Sequence, residues 1–283
     1  MKLARFDNDR LGLVDDDEII DVSTALDALP ALSWPVPAGD WLIRHLEQLR
    51  GPIRKAAQSG ARTALAGVTL RSPVANPSKI VAAPVNYRKH LEESRADEGI
   101  NYGGHVRTID ELGVFLKSST SLVGAGDGVV LSWTERRIDH ELELAVIVGS
   151  EGYCIARNDA RRHIAGYAIG LDMSIRGTED RSFRKSLDSF TVLGPWLVSA
   201  DELADCTDLT LTLSVNGQVR QQSSTAHLIW DVPKLIEYAS SAYRLYPGDI
   251  ILTGTPEGVA PVKPGDVMDC RIAGIGSMSV AIR

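Results

Sequence analysis

The chain has 283 residues, 44% of them hydrophobic and 24% charged, the make-up of an ordinary globular protein long enough for one large domain or a medium domain with a smaller companion. Its net charge of −7 argues against a nucleic-acid binder, yet leaves room for an anionic small molecule held by local cations. No apolar run approaches the length of a membrane span, and "MKLARFDNDRLG" lacks the apolar core of a secretory leader; three scattered cysteines, Cys154, Cys206 and Cys270, without CxxC or zinc spacing, imply free thiols in a reducing cytoplasm.

In chain order, "GLVDDDEIIDVS" predicts two short strands joined by a turn over Asp15–Asp17. Past the proline-broken "LSWPVPAGDW", Asp40 is placed to cap a helix whose Leu42, Leu46 and Leu49 recur at helical spacing. A second short helix is expected over "IRKAAQSG" and a strand over "AGVTL". "RSPVANPSK" reads as a connector, which places a boundary near residue 75: a small N-terminal domain over 1–75 and a larger one over 76–283. Beyond it, "KIVAAPVNY" predicts a strand and "RKHLEES" a short helix, and "GVFLKSSTSLVG" and "GVVLSW" flank the glycine turn "GAGDG". That glycine run lacks the strand–loop–helix order and the Lys-Ser/Thr of a phosphate loop. Further strands are expected in "RRIDHELELAVIVG", "GYAIGLDMSI", "LGPWLVS" and "LTLTLSVNGQVRQQSS", the last with the hairpin signal Asn216–Gly217, before "YPGDIILTGTPEGV" and "GDVMDCRIAGIGSMSVAI" close the chain. Many strands and few long helices predict an α+β, mainly β fold.

The first candidate site lies in "RRIDHELELAVIVG". Strand alternation puts Asp139, Glu141, Glu143, Ala145 and Ile147 on one face, and Leu142, Leu144, Val146 and Val148 on the other. Two ionised carboxylates roughly 7 Å apart at Cα would repel once desolvated, so a positive partner is expected between them. Asp172, in the otherwise apolar "GYAIGLDMSIR", is a third acid in such a setting. Three carboxylates with no nearby Cys or His pair describe a hard-cation site, Mg²⁺ or Mn²⁺ rather than zinc, with positions left for water or substrate. The competing reading places Glu141 and Glu143 on the solvent face of an edge strand.

Taken together and in order, "NYRKHLEE", "IDHELELAVIVG", "GYAIGLDMSIR", "LGPWLVSADEL", "VNGQVRQ" and "YPGDIILTGTPEGV" resemble the fumarylacetoacetate hydrolase family, over nearly everything from about residue 78 onward. The resemblance implies a mixed β-roll catalytic domain behind a small, variable α+β leading domain, with Glu141, Glu143 and Asp172 holding Mg²⁺ or Mn²⁺. It also implies a homodimer. His90 and Glu93 lie three apart in the expected helix and share a face. Alone they read as a surface ion pair; matched to the family they are the dyad in which His90 is general base for water and Glu93 orients and polarises it. Lys185, in "FRKSLDSF", matches a lysine that stabilises developing negative charge, against a solvated surface lysine as the alternative. Arg176 matches a recurrent arginine, structural or substrate-facing, and Thr255 matches a threonine that contacts the substrate carboxylate, although its glycine neighbours could equally shape a turn. Lys117, in "FLKSS", is expected near the pocket or at the surface.

The chain departs from the family pattern at Glu179, where Gln is common, at Arg184, where Gly is common, at Pro84, a usual Gly, and at His140, a usual aromatic. These changes are expected around the acids and on the pocket wall rather than at the acids themselves. The long segment "SRADEGINYGGHVRTIDEL" is expected to contribute to a lid. The resemblance therefore implies a metal-dependent hydrolase that cleaves an acylpyruvate, a small anionic 2,4-diketo acid. Its rivals are a decarboxylase of oxaloacetate-like acids, an isomerase or hydratase of 2-oxo-alkenedioates, and a non-catalytic metal-binding relative.

Overall fold

In the computed structural model, which describes all 283 residues, the strand-rich texture folds into three sheets. The largest has 12 strands, in the order Arg62–Ala64, Glu18–Asp21, Arg10–Asp15, Lys2–Phe6, Thr191–Ser199, Ile164–Asp172, Leu142–Val148, Ile250–Leu252, Ile80–Ala82 and Phe115–Lys117, with Leu70–Arg71 and Leu122–Val123 paired beside this path. Ile250–Leu252 runs parallel to Ile80–Ala82, and Leu122–Val123 parallel to Thr191–Ser199; the other pairs are antiparallel. A four-stranded sheet is built around the hairpin Thr210–Val215/Gln218–Ser224. Asn216 and Gly217 take φ of 51° and 79°, the two consecutive positive values that a tight primed turn requires. Helices are few, so the fold is mainly β, and none is long and apolar enough to cross a membrane.

The first 75 residues share the large sheet with the remainder. Lys2–Phe6 pairs with Thr191–Ser199, and the Met1 ammonium donates to Ser199 Oγ at 2.7 Å. Asp40 caps its helix by accepting from Ile43 N–H at 3.1 Å, and its other oxygen accepts from Ala75 and Asn76 N–H, pinning the connector. The two helices expected after Asp40 are instead a short turn, Trp41–Arg44, and one helix, Leu46–Ala57, with Pro52 inside it. Leu46, Leu49 and Ile53 are buried on its inner face, and that burial offsets the backbone hydrogen bond that proline removes. "AGVTL" is mostly a 3₁₀ turn and a short pairing at Leu70–Arg71, and "GVVLSW" makes no strand beyond a single bridge between Val129 and Ile282.

Two apolar cores result. Leu142, Leu144, Val146 and Val148 belong to one, and Ala145 and Ile147 to the other, as the alternation along this strand predicts. Three adjacent strands of the large sheet, Ile164–Asp172, Leu142–Val148 and Ile250–Leu252, continue in the same order into a three-stranded sheet of Ser174–Ile175, Ile138–His140 and Ala260–Pro261. The candidate site lies at this change of sheet: Glu141 and Met173 sit at the crossing points, and Thr253–Gly254–Thr255 follow the third strand.

Candidate active site and metal centre

At the crossing, Asp172 N–H donates to the Glu141 carbonyl at 2.9 Å, and Glu143 stands opposite Gly170. Backbone pairing thus brings acids from positions 141, 143 and 172 together, with one carboxylate oxygen of each within 4.8 Å of the others, all three buried. The solvent-facing reading of Glu141 and Glu143 is excluded by that burial.

The expected positive partner is Lys185, although it lies between Glu141 and Asp172 rather than between the two glutamates. Its Nζ donates to Glu141 Oε2 at 2.6 Å and to Asp172 Oδ2 at 2.8 Å, and also to Ser174 Oγ. Arg176 donates to Asp139 at 2.8 Å and to Glu141 at 3.0 Å, so it is an orienting residue that also lines the cavity. Arg137 extends the chain of alternating charge outward, bridging Asp139 at 2.8 Å and Asp97 at 2.9 Å. Burial pushes the Glu141 carboxyl up, but Lys185 and Arg176 overcome it and hold the group well below the usual carboxylate range. Burial, then Asp172 and Glu141, push Glu143 well above that range; its one direct stabilising contact is the Gly254 N–H, at 2.6 Å. Gly254 is required there: at φ +98° an added Cβ would sit 2.6 Å from Asn86 Cβ.

This arrangement suits a divalent cation. The donors are hard oxygens on rigid backbone, no thiol or paired imidazole competes, and a cation supplies the charge that lets Glu143 ionise beside two other acids.

The acids open into a cavity of about 210 Å³ that His90, Arg176, Lys185 and Thr255 also line. His90 Nδ1 is 2.9 Å from Glu93 Oε2, and Glu93 Oε1 accepts from Gly258 N–H at 2.9 Å. With Nδ1–H donating to the carboxylate, Nε2 carries the free lone pair. Glu93 is not part of the cavity wall and acts through His90. The Thr255 hydroxyl donates to the Leu142 carbonyl at 2.9 Å and accepts from Gln221 at 2.8 Å, so its proton is already committed.

Of the two places expected for Lys117, the structure shows the one near the pocket, but without contact to the cavity in which a substrate would sit. Lys117 is buried behind Asp172, bonded to that carboxylate and to the Phe190 carbonyl at 2.8 Å, and it does not line the cavity. It balances Asp172 from within the core, where a strand residue in "FLKSS" carries no local mark of its partner. Gln221 and Asn86 were missed in the sequence. Gln221, the one buried position of its strand, fixes His140, Leu142 and Thr255. Asn86 ties Trp230 to Thr253, next to Val85, a β-branched cavity residue strained at φ 49°.

The sequence profile described as "Fumarylacetoacetate (FAA) hydrolase C-terminal" matches residues 79–283. Among curated proteins, the maleylpyruvate hydrolase of Aquipseudomonas alcaligenes is 51% identical over 285 residues, covering 100% of this chain and 99% of the relative. A mitochondrial oxaloacetate tautomerase of Rattus norvegicus is 33% identical over 91% of this chain and 82% of its own. Among solved structures, the maleylpyruvate hydrolase from Sphingobium sp. SYK-6, in complex with manganese(II) ion and pyruvate, superposes with a TM-score of 0.84 at 43% identity, over 100% of this chain and 98% of that one.

Proposed function

We propose that this chain, which belongs to the fumarylacetoacetate hydrolase C-terminal family, is a divalent-metal-dependent hydrolase that splits the C3–C4 bond of an acylpyruvate, giving pyruvate and a carboxylic acid. The observation that carries the reading is that one cavity is lined both by the acid cluster and by a histidine whose second nitrogen is held by a carboxylate. The full-length likeness to two maleylpyruvate hydrolases supports the same reaction class.

Glu141, Glu143 and Asp172 would hold the cation, Mg²⁺ or Mn²⁺. When bound, it supplies positive charge against the 1-carboxylate and 2-oxo group, the end of the substrate on which negative charge develops as the bond breaks. His90 accepts the proton of the attacking water at Nε2, and Glu93 stabilises the imidazolium that results. Lys185 adds a second positive charge beside the acids, and Arg176 keeps Glu141 oriented. Thr255, whose backbone N–H donates to no group of the chain, lines the same cavity and is the residue we read as meeting the substrate carboxylate. We read the cofactor as Mg²⁺ and the protein as a homodimer of the cytoplasm, a compartment with which three free cysteines are consistent.

The test is turnover of a panel of acylpyruvates, oxaloacetate and 2-oxo-alkenedioates by metal-loaded protein, with products followed by NMR. Stoichiometric pyruvate and carboxylic acid from acylpyruvates is the expected result. Tautomerisation or decarboxylation of oxaloacetate with every acylpyruvate left intact would replace this reading.

A further inference from the structure

The helix that carries the dyad, Arg88–Ala96, is only lightly held by apolar contact. Leu91 is its one buried apolar side chain, beside the buried His90 and Ser94, so polar ties must set where the helix lies. Before it, Asn86 is bound to Trp230 and Thr253, and within it Glu93 accepts from Gly258 N–H. Asp97 closes its far end. The Asp97 N–H donates to the Glu93 carbonyl at 2.9 Å, which ends the dyad helix. Its Oδ1 accepts from Gly99 N–H at 2.8 Å, which opens the next turn, Glu98–Asn101, whose Ile100 and Asn101 line the cavity. Oδ2 is left for Arg137 Nη1, at 2.9 Å.

Arg137 reaches Asp97 from the other side of the site. Its Nε donates to Asp139 Oδ1 at 2.8 Å, Asp139 Oδ2 accepts from Arg176 Nε at 2.8 Å, and Arg176 Nη2 donates to Glu141 Oε1 at 3.0 Å. The Arg137 carbonyl also accepts from Arg176 N–H at 2.8 Å, which fixes the backbone that Arg137 projects from. An unbroken series of charge-assisted hydrogen bonds therefore runs from a carboxylate of the acid cluster to the end of the dyad helix. The turn after Asp97 lies directly against the guanidinium: the place of a Cβ on Gly99 is taken by Arg137 Nη1, 2.5 Å away. The acids do not need this last link. Without Arg137, Asp139 keeps Arg176, and Glu141 keeps both Arg176 and Lys185. What the link to Asp97 adds is position.

We propose that Arg137 is a positioning residue for the dyad: by pairing with Asp97 it registers the end of the dyad helix on the charged network that orients Glu141, and so fixes how His90 approaches the acid cluster. The role given to His90 rests on the hydrolase reading; the tie itself does not. A reacting group misplaced by about 1 Å can cost roughly 100-fold. The Arg137 and Asp97 side chains are 29% and 35% exposed, so losing the pair loosens the helix rather than freeing it, and a fall of roughly tenfold is expected.

The test compares Arg137→Gln, Asp97→Asn and the double variant. Asn at 97 keeps an acceptor for Gly99 N–H and is a good helix cap, and Gln at 137 can still donate to Asp139, so each single change spares the fold by a different route. Mn²⁺ affinity, read by electron paramagnetic resonance, should stay within about twofold of wild type in all three. In each single variant kcat for acylpyruvate hydrolysis should fall roughly tenfold with KM little moved, and the double variant should fall no further, because both changes cut one link. Hydrogen exchange in Mn²⁺-loaded protein supplies a readout independent of turnover: exchange over residues 88–101, the dyad positions included, should quicken about tenfold in each variant. Quickened exchange at the dyad supports the tie even if the wild type hydrolyses no acylpyruvate, a result that would remove the hydrolase reading alone. Additive losses in the double variant, lost Mn²⁺ affinity, faster exchange confined to residues beyond 97, or an unchanged kcat in an active enzyme would each overturn the positioning role.

Discussion

Replacing Glu143 with Gln isolates the charge that the metal must balance. In metal-free protein, burial and the two neighbouring acids favour the protonated form of Glu143, so a neutral amide of the same shape costs little and can still accept from the Gly254 N–H. Where the group is ionised, the change is stabilising. The sign follows from linkage: the folded state holds this proton to higher pH than the unfolded chain does, so metal-free stability falls as pH rises from the ordinary carboxylate range toward the raised folded value, and that fall is absent in Glu143→Gln. The loaded protein behaves oppositely. Metal at 100 times its Kd stabilises the wild type by about 2.7 kcal/mol, a Tm rise of roughly 5–10 °C for a chain of this size. Loss of one of three carboxylates in direct contact with a cation removes several kcal/mol of attraction even at an effective dielectric near 20, which we take as roughly 100-fold weaker binding. At the same metal concentration the variant then gains only about 0.4 kcal/mol, near 1 °C. Scanning calorimetry of chelator-stripped protein titrated with Mg²⁺ or Mn²⁺ measures both effects. An equal metal-dependent rise in the variant, or a metal-free Tm several degrees below wild type, would refute the reasoning.

Alkylation without reductant should label Cys154 in the folded protein and Cys206 and Cys270 only after unfolding, since the latter two are buried; mass spectrometry finding any disulfide would contradict the assignment of three free thiols. The segment 97–107 contributes Ile100, Asn101, His105, Val106 and Arg107 to the cavity wall, and Tyr102–His105 are exposed, so hydrogen exchange over residues 88–108 should slow when oxalate and Mg²⁺ bind together. Identical exchange in the two states would dispose of the lid.

The acids were legible because they interrupt apolar strands, a local anomaly that only burial with a partner explains, and the Asn216–Gly217 turn was legible because its backbone demands those residues. What stayed hidden depends on distant pairing. Gln221 is 81 residues from His140 and Asn86 is 144 from Trp230, and no nearby residue signals either contact. Lys117 reads the same in sequence whether it points to solvent or into Asp172; the pairing of its strand with Ile80–Ala82 decides. Arg181 and Arg184 look like the solvated face of any short helix until the cavity beneath them is seen. The helix through Pro52 shows the reverse case, in which local propensity is overruled by the apolar face it buries.

The division of labour between acids and dyad is the centre of the account, and His90→Ala tests it most directly. His90 touches Glu93 and lines the cavity without joining the acid cluster. Mn²⁺ affinity, read by electron paramagnetic resonance, should stay within about twofold of wild type, while kcat for acylpyruvate hydrolysis falls by roughly 10²–10⁴-fold, the usual worth of a positioned general base. Lost Mn²⁺ affinity would make His90 a metal ligand, and undiminished hydrolysis would remove it from the reaction.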